Sequence, residues 1–198
     1  MKRVSKGKFG YTLSHRKWQI MKTCLYTVLA LAIFLVGWIT TKKTTNLLSI
    51  VALLGALPIS KELVGVIMSY KRKPMDKQLF EQISAKAGSL EQIYELLFTT
   101  NERAYAVDAA IVEGRDVICY TTDKSYNITE LQKHLLKMLD ANGYKQNVKV
   151  YTDLKKFLDR AGDLERREKE EIPFTPHVTY SDLNRDELIK HLLLALSV

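Results

Sequence analysis

Residues 24–41 run for eighteen positions without a charge, and nothing else in the chain restricts its fold so much. At 1.5 Å per residue a helix of that length is roughly 27 Å long, close to the hydrocarbon thickness of a bilayer. Trp18 and Trp38 bracket the run, as interfacial aromatics do. A signal peptide is the rival reading. The run is long for one, no small-residue cleavage site follows, and a second apolar stretch comes at once. The expectation is a retained transmembrane helix at about 23–41.

After the polar turn TTKKTTN comes a second uncharged stretch, 47–60, of 14 residues. Fourteen residues reach roughly 21 Å, too little to span comfortably. Continuing to Tyr70 lengthens the helix to roughly 36 Å but draws Lys61 and Glu62 inside it. Two readings stay open for this pair. It marks a boundary or a kink, with Pro58 just before it, or it is a polar site or oligomer contact, because ionisable groups inside a membrane are candidates for function. Ala52, Ala56 and Ser60, with Gly55 beside them, make a small-residue stripe expected to pack on the first span.

Charge supports the same division. Residues 1–74 hold 13 Lys and Arg against one acid, a balance of +12, while residues 75–198 hold 17 against 21, a balance of −4. The overall +8 therefore belongs to the N-terminal part. Nucleic-acid binding needs a basic folded surface, so it is not expected. Lys2, Arg3, Lys6, Lys8, Arg16, Lys17 and Lys22 precede the first span and Lys71, Arg72 and Lys73 follow the second; only Lys42 and Lys43 lie in the turn. This bias places both termini in the cytoplasm. It also suits a basic arm, residues 1–22, lying on anionic headgroups. Cys24 and Cys119 are too far apart for a metal motif and read as two buried thiols.

Beyond Pro74 the pattern is that of a small α/β (α+β) domain over 75–171, with at least three strands. A helix is expected around 79–87. A second, opened by the box Ser89–Gln92, carries Leu90, Ile93, Tyr94, Leu97 and Phe98. Residues 105–123 read as a hairpin turning at Gly114–Arg115, with Val112 opposite Val117, Ala110 opposite Cys119 and Asp108 opposite Thr121. Both its faces are apolar, so helices should cover both. Asn127 and Asp153 should cap helices on either side of a strand at 147–152. Residues 172–198 form a Pro-containing linker and a terminal helix whose Leu188, Leu192, Leu193 and Leu196 need a partner surface, either the domain core or another protein.

The order helix, hairpin with an acid on its first strand, helix, strand, over about 90–152, is similar to the core of the PD-(D/E)xK nucleases. The resemblance implies a metal-binding Asp, for which Asp108 stands, and a downstream Glu-x-Lys on the same sheet face. The residues sharing that face, Cys119, Thr121 and Asp123, do not form one. Topology alone does not license the activity. Asp108, Glu113, Asp116 and Asp123 make a local acidic group, read as a solvated face or a cation site. The four histidines are scattered and lack metal spacing.

The expected protein is thus a two-pass membrane protein carrying a non-catalytic cytoplasmic interaction domain, without cofactor. Its partners are the bilayer and either another protein or further copies of itself. The alternatives are a membrane-face enzyme using Asp108 and an oligomeric element using Lys61 and Glu62.

Overall fold

A computed structural model describes residues 4–44, 47–71, 73–100, 103–167 and 183–197. The chain forms two compact units. One is built on Thr12–Lys73; the other combines Ser5–Tyr11 with the chain from Pro74 onward.

The first unit is a helical hairpin. Helix α1 spans Tyr11–Thr41, and the return is made by α2, Leu47–Leu54, and α3, Ala56–Lys71. The interruption at Gly55 follows from Pro58. Proline has no N–H for the Leu54 carbonyl four residues earlier, and its ring crowds that carbonyl. Pro58 itself sits in the first turn of α3, where a missing N–H is tolerated. The arms run antiparallel. A Cβ at Gly55 would lie 3.6 Å from Ala30 Cβ, Gly65 lies against the Gln19 amide, and Arg16 Nη2 donates to the Ser69 carbonyl at 2.9 Å. Tyr11–Thr41 and Leu47–Tyr70 are long and apolar enough to cross a membrane. Their most apolar windows are only 6% and 0% buried, so neither is the core helix of a globular fold.

The seam corrects the small-residue stripe. Ala52, Gly55, Ile59 and Glu62 are half-buried, whereas Ala56 and Ser60 are exposed. A stripe spaced by fours drifts about 40° per step on a 3.6-residue helix, while alternating threes and fours stays on one face.

The second unit is a four-stranded sheet between helices. Helix α4, Lys77–Ala87, precedes strands β1, Glu91–Thr99, β2, Ala104–Glu113, and β3, Asp116–Tyr120. Then come α5, Ile128–Ala141, β4, Asn147–Tyr151, α6, Leu154–Arg166, and α7, Arg185–Leu196. The strand order is β1-β2-β3-β4, antiparallel except for the parallel pair β3–β4. The hairpin register is as expected for Ala110 opposite Cys119 and Val112 opposite Val117; the ladder ends at Ala109–Tyr120, so the expected pair Asp108–Thr121 is not part of it. Gly114 turns it at φ +57°, a conformation that disfavours side chains with a Cβ. Asn127 and Asp153 cap α5 and α6 through backbone N–H groups. One sheet face is covered by α5 and α7 (Leu131, Leu135, Leu139, Ile189, Leu193), the other by α4 and α6 (Ile83, Ala87, Phe157, Ala161, Leu164).

Two expectations fail here, and one open alternative is settled. Residues 91–99 form strand β1, not a helix. Both faces of β1 are buried, so its apolar residues are nearly continuous and imitate a helical pattern. Of the two surfaces open to the terminal helix, the domain core is the one it meets: Leu188, Ile189 and Leu193 are buried, the last two in the core on the sheet, with Leu192 and Leu196 packed against it. Its Lys190 also pairs with Glu91 at 2.7 Å. Cys24 is exposed rather than buried. The linker expected over 172–180 lies outside the described residues.

The start of the chain is part of this domain. Tyr94 N–H donates to the Gly7 carbonyl at 2.9 Å, Phe9 stacks on Phe80 with centroids 4.4 Å apart, and Lys6 Nζ donates to the Ser197 carbonyl at 2.5 Å. Gly7 has φ +82°, and a Cβ there would come 2.5 Å from Leu194 Cδ2 and 3.0 Å from Ile93 Cγ2. Gly7→Ala combines a left-handed backbone penalty with overpacking, and should cost about 2–4 kcal/mol. Denaturant unfolding of the full chain in mild detergent measures this. A loss below about 0.5 kcal/mol, the range of a neutral surface change, would mean that the segment is not seated as described.

Candidate functional site

The sheet is irregular at one rung. In β1, Ile93 faces the α5–α7 side and Tyr94 the α4–α6 side, yet Leu96 and Phe98 again face α5–α7. In β2, Val107 faces α5–α7, Ala109 the other side, and Ala110 α5–α7 again. Strict alternation therefore fails in both strands between the pairs Tyr94–Ala109 and Leu96–Val107. The residues enclosed by those pairs are Glu95 and Asp108. Glu95 has φ +55°, a left-handed backbone that few residues with a side chain adopt.

This rung places one carboxylate, Glu95, in a nearly closed setting and a second, half-buried one, Asp108, beside it. Glu95 is 8% exposed, and its Oε1 accepts from the Met75 backbone N–H at 3.1 Å. Asp108 Oδ2 accepts from Thr122 N–H at 2.6 Å and from Thr122 Oγ1 at 2.8 Å. Burial raises the Asp108 pKa above its ordinary value; the two Thr122 bonds oppose this, and the negative charges of Glu95 and Asp123 add to it. Tyr120, close by, is also raised, by burial and then by Asp108 and Asp153. Cys119 is pushed up to about 12 by burial and is an inert thiol.

The four acids grouped from sequence are divided between the two ends of β3. Asp108 and Asp123 lie near enough to influence each other at its C-terminal end. Asp116 begins the strand, where its Oδ2 accepts from Arg160 at 2.9 Å and Arg167 at 3.2 Å, and Glu113 lies beside the turn. Among the described residues no group of three His, Cys, Asp or Glu is arranged to hold a metal. The helical reading of this segment hides Glu95, which the structure places in β1. The signal available was a lone acid inside an otherwise apolar run, Ile93–Phe98.

The nuclease likeness loses its opening helix, which is β1. At the positions where Glu-x-Lys was sought, Cys119 is fully buried and Thr121 Oγ1 donates to the Ala106 carbonyl. His134 is half-buried, and its Nε2 is enclosed without a hydrogen-bond partner.

The basic residues have separate fates. Lys6 binds the Ser197 carbonyl. Arg16 lies over the Tyr70 ring, 4.4 Å from its centroid, besides its bond to Ser69. Lys8, Lys17, Lys22 and Lys73 are exposed; Lys2, Arg3, Arg72 and the Lys71 side chain lie outside the described residues. Lys61 is exposed, and Glu62, its neighbour, faces the helix seam half-buried.

No protein-family model, curated protein or solved structure matches this chain.

Asp108 makes the rung pH-sensitive. Its folded pKa is raised, so the native state binds the proton more tightly than the unfolded chain. Stability from this group is greatest below the unfolded carboxylate value and declines as pH rises through the raised folded value. Asp108→Asn should remove that decline. Unfolding curves from about pH 4 to 7, the range above an ordinary carboxylate pKa, test this. Equal slopes in both proteins would contradict it.

Proposed function

We propose that this chain is a two-pass membrane protein that holds its α+β domain at the cytoplasmic face as a non-catalytic interaction module. One observation carries the reading: the domain is assembled from chain on both sides of the hairpin. Segment Ser5–Tyr11 and the chain from Pro74 onward belong to one compact unit. They are fastened at adjacent residues of β1, Gly7 to Tyr94 and Met75 to Glu95. If the hairpin spans a bilayer, both its ends are on the same side, whatever the loop charges say. The charge bias then selects the cytoplasmic side.

The exposed side chains of the hairpin support the membrane assignment. The large apolar residues open to their surroundings fall between Leu13 and Tyr70, and the sheet unit contributes none among the described residues. The interaction role rests on a domain with a closed core and a charged exterior, presented at a surface. A second reading, a membrane-face enzyme, draws on one feature, the raised carboxyl of Asp108 beside Glu95.

Topology is tested with short epitope tags at both termini of the full chain. Both tags should be hidden in intact cells and become accessible together after permeabilisation. Tags on opposite sides, or recovery of the chain in the aqueous fraction after lysis, would defeat the proposal. The enzyme reading predicts that Asp108→Asn abolishes function while the domain stays folded; the interaction reading predicts that function survives.

A further inference from the structure

The register of the hairpin brings two lysines together. Gln19 is level with Gly65, Ala30 with Gly55 and Arg16 with Ser69. Moving three residues up α1 and three back along α3 sets Lys22 level with Glu62, one position from Lys61.

The lysines also share a flank. The seam runs through Gln19, Thr23 and Ala30 on one arm and Gly55, Ile59 and Glu62 on the other, all half-buried. Lys22 precedes Thr23, and Lys61 precedes Glu62. One step back along a right-handed helix turns a side chain about 100° off the seam. Because the arms are antiparallel, that step turns both lysines to the same side of the hairpin. Both are exposed, and neither has an ion pair among the described residues. Helices in contact have axes about 8–10 Å apart, a gap that two long lysine stems can close over one small group. Trp18 lies on the same flank about one turn nearer the end from which the chain enters the sheet domain.

Resting on the membrane reading, we propose that Lys22 and Lys61 clamp the phosphate of one anionic phospholipid headgroup in the domain-side leaflet. Two ammonium groups on one flank favour an anionic phosphodiester between them, which accepts a charge-assisted hydrogen bond from each. An uncompensated charge at this depth is costly, so the lysines reach outward to the headgroup layer rather than staying in the hydrocarbon.

The full chain is reconstituted in vesicles of phosphatidylcholine alone or of equal parts phosphatidylcholine and phosphatidylglycerol. Flotation is recorded, and retained lipid is read by native mass spectrometry. Phosphatidylglycerol should be retained preferentially. The pair Lys22→Gln and Lys61→Gln should weaken that preference about fivefold per lysine, and Lys42→Gln with Lys43→Gln should not. Unchanged preference in the first pair, with normal flotation, overturns the clamp and leaves the membrane reading intact. Failure to float with either vesicle removes the membrane reading. Displacement of the lipid by excess inorganic phosphate assigns the site to a free anion and overturns the lipid proposal. So does loss of a dimer on Lys61→Gln without a change in lipid, since the lysine then serves a second copy of the chain.

Discussion

The hydrogen bond from Tyr94 N–H to the Gly7 carbonyl sets the conditions for the rest of the molecule. Strand β1 lies at the edge of the sheet, and an edge offers unpaired backbone groups that proteins must cover. Here the cover is the chain's own start, approaching so closely that Gly7 has no room for a Cβ. The net contribution of such a bond to folding, after exchange with water, is about 1 kcal/mol. Its larger effect is on connectivity, since α1 follows at once and both strands of chain leading into the hairpin must meet at the sheet. The next residue of β1, Glu95, holds the returning chain through the Met75 N–H. Exit and return are therefore anchored one residue apart on β1.

That double anchorage gives the irregular rung a physical sense. Carboxylates directly opposite each other on neighbouring strands repel. At Glu95 and Asp108 the alternation of faces fails, and each carboxylate finds its own donors, Met75 for one and Thr122 for the other. The cost is a left-handed backbone at Glu95 and a carboxyl held above its ordinary pKa at Asp108. Strain of this kind persists only where surrounding structure dictates it. Here the Glu95 side chain accepts from the Met75 N–H of the segment that carries the chain back from the hairpin.

Much of the fold was legible from local chemistry. The register around Gly114, the caps at Asn127 and Asp153 and the apolar run of α1 each depend on residues close in sequence. What could not be read depends on distant partners. The segment 91–99 has helical spacing and a plausible capping box, and only pairing with β2 makes it a strand. The arm at 5–11 reads as a basic tail until Gly7, Phe9 and Lys6 find Tyr94, Phe80 and Ser197. The Asp108 rung was half visible. Asp108 was singled out, whereas Glu95 was hidden by the wrong element, and Asp116 was grouped with it although Arg160 and Arg167 claim it at the other end of β3.

The doublet Lys61–Glu62 is not one feature but two. Adjacent residues on a helix point about 100° apart, so a charged pair in sequence need not be a pair in space. Pro58 ends α2 early and α3 begins at Ala56, which sets the rotation of everything after it. With Gly55 and Gly65 on the seam, Glu62 must also face α1, toward Thr23 and Gln19, whereas Lys61 must face outward. On the proposed membrane reading, the acid lies where a neighbouring helix excludes lipid, and the base lies where its long stem can reach the headgroups. Both charges fit in an otherwise apolar arm because the helix separates them.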